Sequence, residues 1–145
     1  MWNMEELFEL RTYIEQGRYQ NALTLLGEME EMSKDDKINK ITSYLEILLL
    51  HLIKQHVEKR TTKSWNASIR NSLIHIGRTN KRRKAGGWYL SQNEIREAIE
   101  DAYEPALIGA SMEAFEGRCD TDELGRLSDE KQIKNEAAEL IIKNY

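Results

Sequence analysis

Apolar residues recur at intervals of three and four along nearly the whole chain, and that period belongs to the α-helix. One proline and eight glycines punctuate 145 residues, too few turn formers for a β-sandwich or barrel. No stretch alternates as a strand does. The pattern predicts an all-α fold, a mostly antiparallel bundle of four to five main helices with a short C-terminal helix, in a single domain over 1–145.

A first helix is expected from about Asn3 to Gln16, burying Met4, Leu7, Phe8 and Ile14, with Gly17 as the break. A second, about Tyr19 to Met32, carries Ala22, Leu23, Leu26 and Met29 on one face. Ser33 with Asp36 resembles a capping box, so a third helix is expected from there to about Glu58. On it Ile38, Ile41, Leu45, Leu48, Leu49 and Leu52 share an arc of roughly 100°, while Ile47 and Leu50 lie opposite. A helix apolar nearly all round is central in a bundle, or is a dimer seam as well as a core.

Thr61, Thr62 and Ser64 offer caps for a helix with Trp65, Ile69, Ser72, Leu73 and Ile76 inward. Ser91 with Glu94 is a full capping box, opening a helix that buries Ile95, Ala98, Ile99, Ala102, Tyr103, Ala106 and Ala110. Pro105 must kink that helix or restart it. Gly117 to Gly125 reads as a loop, and Ser128 as the start of a last helix with Ile133, Ala137, Leu140 and Ile141.

The single cysteine, Cys119, excludes an internal disulfide, and acidic Asp120, Asp122 and Glu123 after it raise a thiol pKa. No signal peptide is legible, and the most apolar run, Leu45 to Ile53, is about half as long as a membrane span. A cytoplasmic, non-membrane protein is expected.

The formal charge of −4 is an average over unlike parts: −5 for residues 1–58, +9 for 59–93 and −8 for 94–145. Between Glu58 and Glu94 no acidic residue occurs. With Trp65, Trp88 and Tyr89 in that interval, the composition suits phosphate contact and base stacking. It equally suits pairing with the acidic flanks, within the chain or across a dimer.

Motifs for chemistry are sparse. His51 and His56 are five apart, so on one helix they diverge by about 140°. Neither HExxH nor Glu-x-x-His occurs, and no metal site or cofactor is expected. Glu28 and Glu31 share a helix face that would suit a divalent ion, but a solvated face explains them as well. No phosphate loop, dinucleotide fingerprint or nucleophile elbow is present. Gly17-Arg18-Tyr19 with Ala22 resembles the turn of a tetratricopeptide repeat, but no second copy follows. Arg70-Asn71-Ser72-Leu73-Ile74-His75 is similar to the R-N-x-x-x-H signature of the helical ribonucleases called HEPN domains. That chemistry needs no metal: His75 would move a proton at the ribose 2′-OH and Arg70 would steady the phosphate.

A second resemblance covers more of the chain. Leu26, Glu28, Met29, Glu30 and Met32, then Ser43, Leu45, Leu48, Leu49 and His51-Leu52-Ile53-Lys54, then Ser64-Trp65 and Ile69-Arg70, resemble the bacterial "domain of unknown function 29" family. Its members carry an acidic E-E-I-E-x-M stretch, an H-L-L-K helix end and an S-W start to the next helix. Tyr103, Pro105 and Ala106 are similar to its Y-P-x-A element. The likeness covers about residues 5–115 and departs at Gly27, Gln55, Leu73, Trp88-Tyr89-Leu90 and the tail 118–145. It implies an all-helical bundle and a bacterial cytoplasmic protein, and no activity. It also marks His51, Lys54, Ser64, Trp65 and Arg70 as motif positions.

The expected function is a small non-enzymatic protein-interaction module, homodimeric. One alternative is a nucleic-acid binder through 59–93, with Lys54, Arg70, Lys81, Arg82, Arg83 and Lys84 as the binding residues. The other is a ribonuclease using Arg70 and His75.

Overall fold

The computed structural model describes residues 4–82 and 86–145, so Arg83 and Lys84 lie outside the described residues. The described chain is all-α: α1 (Met4–Glu15), α2 (Tyr19–Glu58), α3 (Lys63–Asn80), α4 (Gln92–Glu113), a 3-10 turn (Ala114–Gly117), α5 (Thr121–Leu127) and α6 (Glu130–Ile142). Two compact units share it, Met1–Lys37 and Ile38–Tyr145.

In the first unit, α1 ends in a Schellman turn. Gly17 sits at φ +70° while its N–H donates to Ile14 O, and the Arg18 N–H reaches Tyr13 O at 2.8 Å. The chain then turns back as the start of α2, and Glu9 and Tyr13 of α1 line a groove with Gln20, Asn21, Thr24, Leu25 and Glu28. This hairpin corrects the expected core. Met4, Leu7, Phe8 and Ile14 are 64, 40, 60 and 51% exposed, and Leu23 and Leu26 are exposed as well. Ala22 and Met29 are buried. The reason is geometric: two helices cover only the sides they turn to each other.

The second and third expected helices are one helix, α2, running from Tyr19 through Ser33 to Glu58. The Ser33/Asp36 pattern does not start a helix: α2 runs on through Gly27, and no proline precedes Ser33 to stop it.

In the second unit, Ile41, Leu45, Leu48, Leu49, Leu52 and Ile53 of α2 are at most 1% exposed and form the centre of the core. The apolar half of α2 is thus a central element of the core. Lys59, at φ +53°, ends α2 in the left-handed conformation usual after a helix. Thr62 then caps α3 by accepting the Trp65 N–H at 3.0 Å. Tyr44 meets His75, and Lys54 meets Trp65, so α2 and α3 are antiparallel.

Ser91 and Glu94 form the expected capping box of α4. Helix α4 returns parallel to α2: Leu50 lies under Gly109, Lys54 against Glu113 and Glu58 against Phe115. A Cβ at Gly109 would stand 2.9 Å from Leu50 Cδ1, so glycine permits this approach. Helix α4 is continuous through Pro105. That residue is exposed, and so is Asp101, whose carbonyl it deprives of a helical donor.

The expected loop at 117–125 contains α5 instead. Asp120 accepts the Glu123 N–H at 2.8 Å and so starts a short helix that buries Leu124. Asp129, one residue beyond Ser128, caps α6. Helix α6 packs on α4 and α3. Tyr145 closes that end: its hydroxyl donates to Leu90 O at 2.7 Å and accepts from Asn80 Nδ2 at 2.6 Å.

Candidate functional site

Two of the motif positions, Lys54 and Trp65, meet at the junction of α2, α3 and the end of α4. Lys54 is only 5% exposed. Its ammonium donates to Glu113 Oε1 at 3.0 Å and lies 4.5 Å from the centroid of the Trp65 ring. The same ring holds the Arg60 guanidinium at 4.6 Å. Glu58 completes the cluster, accepting from Arg60 Nε at 3.1 Å and from the Phe115 N–H at 3.3 Å. Phe115, Glu116 and Gly117 have φ of +51°, +59° and +75°, three successive left-handed residues where α4 ends. Every charge in this cluster has a partner. Chemically it is a polar junction that ties α2, α3 and the end of α4 together.

The other motif residues serve the same connection or face solvent. His51 is half-buried on α2. Its Nδ1 donates to the Ile47 carbonyl at 2.8 Å, one turn back on its own helix. Ser64 and Arg70 are exposed. Gln55, where the family pattern often has an aromatic, donates to Thr61 Oγ1 at 2.7 Å and to Asn66 Oδ1 at 3.1 Å. Sequence reasoning did not find this bracing of the α2–α3 connection, because its partners are six and eleven residues away.

Arg70 and His75 are both exposed on α3. At five residues apart they diverge by about 140° on the helix. His75 stacks on Tyr44, with ring centroids 4.7 Å apart and planes 7° apart. His56 binds Glu136 of α6 at 2.6 Å.

Of the basic interval, Arg60 is tied to Glu58. Lys59, Lys63, Arg70, Arg78 and Lys81 are exposed and make no ion pair among the described residues. The Arg82 guanidinium lies 5.7 Å from the Tyr89 ring. The aromatics of the interval are engaged: Trp65 is buried under its two cations, and Trp88 stacks on Tyr145 at 4.5 Å. Lys81 pairs with Trp88 in an isolated antiparallel bridge. The turn it closes holds Gly86 and Gly87 at φ +74° and +73°, with the Arg82 N–H on Gly87 O.

Cys119 is 8% exposed, and burial together with Glu123 and Asp120 pushes its thiol pKa up. Among the described residues no group of three or more His, Cys, Asp or Glu is placed to hold a metal ion. No helix among them is long and apolar enough to cross a membrane.

Fold and side-chain geometry define an all-α helical protein in which Lys54, Trp65, Arg60, Glu58 and Glu113 form a polar junction. Residues 2–121 match the family model described as "Domain of unknown function DUF29", and the chain belongs to that family. A stretch of 112 residues is 27% identical to "Chromodomain-helicase-DNA-binding protein 7" of Gallus gallus and 26% identical to the protein of that name from Homo sapiens. The stretch is 76% of this chain but only 4% of either relative, so the chain spans a small part of the proteins it matches. No solved structure matches it.

Proposed function

We propose that this chain is a non-enzymatic helical module that self-associates through the outer face of its N-terminal hairpin, the occupant of that face being a second copy. The carrying observation is the uncovered apolar surface of the first unit. Met4, Leu7, Phe8, Ile14, Tyr19, Leu23, Leu26 and Met32 are each 39–64% exposed. On α1, Met4, Leu7, Phe8 and Ile14 fall within an arc of roughly 120°, and on α2, Tyr19, Leu23 and Leu26 within roughly 60°. With two antiparallel helices these stripes fall on the same side of the hairpin.

The area fits a second copy. The seven side chains of these stripes, about half uncovered, present on the order of 800 Å², what each partner contributes to a standard interface, whereas Met32 lies on the other side of α2. Two hairpins facing each other across a two-fold axis make a four-helix bundle, the simplest layer that buries both stripes.

Sedimentation equilibrium of the full chain across roughly 1–100 μM tests this. A monomer–dimer equilibrium is expected, with Phe8→Glu plus Leu23→Glu yielding a monomer of unchanged helicity. A monomer throughout that range, or a dimer that survives both substitutions, overturns it.

A further inference from the structure

The second unit carries a different surface. We propose that the exposed face of α3 is a contact surface for the phosphate backbone of duplex DNA.

At 100° per residue, Lys63, Arg70, Ile74 and Arg78 fall within an arc of roughly 80°. Each is exposed. Lys63 and Arg78 are separated by about 22 Å along the helix axis, the length of about 6 base pairs. Lys81 caps the helix and Arg82 follows it, extending the row of cations past its end. Lys63, Arg70, Arg78 and Lys81 make no ion pair among the described residues, and no carboxylate occurs between Glu58 and Glu94. A cation held by an internal carboxylate has little left to offer a phosphate; these four are uncommitted.

The form of nucleic acid follows from what the aromatics do. Single strands are bound on free rings that stack successive bases. Here Trp65 is buried, Trp88 is stacked on Tyr145, and Tyr89 faces Arg82. No aromatic side chain lies on the stripe itself. A helix about 10–12 Å across fits the major groove of B-form DNA, about 12 Å wide, and not the narrow major groove of A-form RNA. Ile74, 44% exposed at the centre of the stripe, gives an apolar contact of the kind thymine methyl groups accept.

The remainder of the chain carries −13, which is −4 less the +9 of residues 59–93. Charges beyond about 8–10 Å are screened at moderate salt, so the stripe sets the local attraction while the rest limits affinity. Binding is therefore weak and strongly salt-dependent.

The test is fluorescence anisotropy of the full chain with a labelled duplex of about 25 base pairs, between roughly 20 and 200 mM salt. Binding at the low end is expected, falling steeply with salt. Arg70→Glu with Arg78→Glu should weaken it at least about tenfold and lower the log–log salt slope by about 2. Arg118→Glu, outside the stripe, should leave it unchanged, with circular dichroism confirming equal helicity. No binding at about 20 mM salt, equal binding by the double variant, or tighter binding of single strands or duplex RNA each overturns the proposal. None of these residues lies in the hairpin, so failure here leaves self-association standing, and the reverse holds.

Discussion

The ammonium of Lys54 and the carboxylate of Glu113 meet at 3.0 Å although 59 positions separate them in the chain. The contact is asymmetric: the Lys54 side chain is 6% exposed and that of Glu113 51%. The buried partner depends on the exposed one. Glu113→Ala should therefore destabilise by about 1–3 kcal/mol, because it leaves a desolvated ammonium with only the Trp65 face for company. Lys54→Met, which removes the charge and keeps the stem, should cost less. Urea unfolding of both single variants and the double checks this: in the Lys54→Met background, Glu113→Ala should have little effect.

The left-handed turn after α4 gives a prediction of opposite sign. Glu116 is exposed at φ +59°, a conformation that costs a residue with a Cβ about 1–2 kcal/mol. Its ion pair with Arg118, 83 and 81% exposed, contributes little against that. Glu116→Gly should raise stability by up to about 1 kcal/mol, visible as a higher urea midpoint at unchanged slope. Gly117→Ala should lower it, since the new Cβ would stand 3.0 Å from the Met112 carbonyl at φ +75°.

Stability should fall above about pH 10. Burial raises the phenol pKa of Tyr103 and of Tyr145 above the ordinary 10.0. Burial opposes the Lys134 ammonium, but hydrogen bonds to Glu100 and Glu130 outweigh it and raise the pKa above 10.5. In each case the folded chain holds a proton that the unfolded chain has begun to release. These contributions are complete below the unfolded pKa and vanish as pH passes the folded one. Urea midpoints at roughly pH 8 and 11 should differ accordingly. Tyr145→Phe should be less stable at the lower pH by about 1–2 kcal/mol, having lost its bonds to Leu90 and Asn80, and should decline less between the two.

The helical period read directly from the sequence placed the core of the second unit, from Ile41 and Leu45 through Ile95 and Ala102 to Ile133 and Ile141, all buried. It failed in the hairpin because periodicity finds an apolar stripe and says nothing of what covers it. It failed at Asp120, where a cap three residues before Glu123 was masked by flanking glycines. The junction around Lys54 was visible only as motif positions: nothing local to Lys54 points to Glu113. The basic interval was plain as composition, but whether its cations were free and its aromatics engaged depended on tertiary contacts such as Trp88 on Tyr145.

Helix α2 begins in one compact unit and ends in the other, the boundary falling between Lys37 and Ile38. One continuous ladder of backbone hydrogen bonds thus has two different guardians. Beyond Ile38 one face of the helix is packed under residues with almost no solvent access, and its amides exchange with deuterium mainly when the second unit opens. Before Lys37 most of its side chains face water, so the same helix should exchange orders of magnitude faster there. Dimerisation through the hairpin would slow the early half alone, which makes the exchange profile of a single helix a readout of the assembly state of the whole chain.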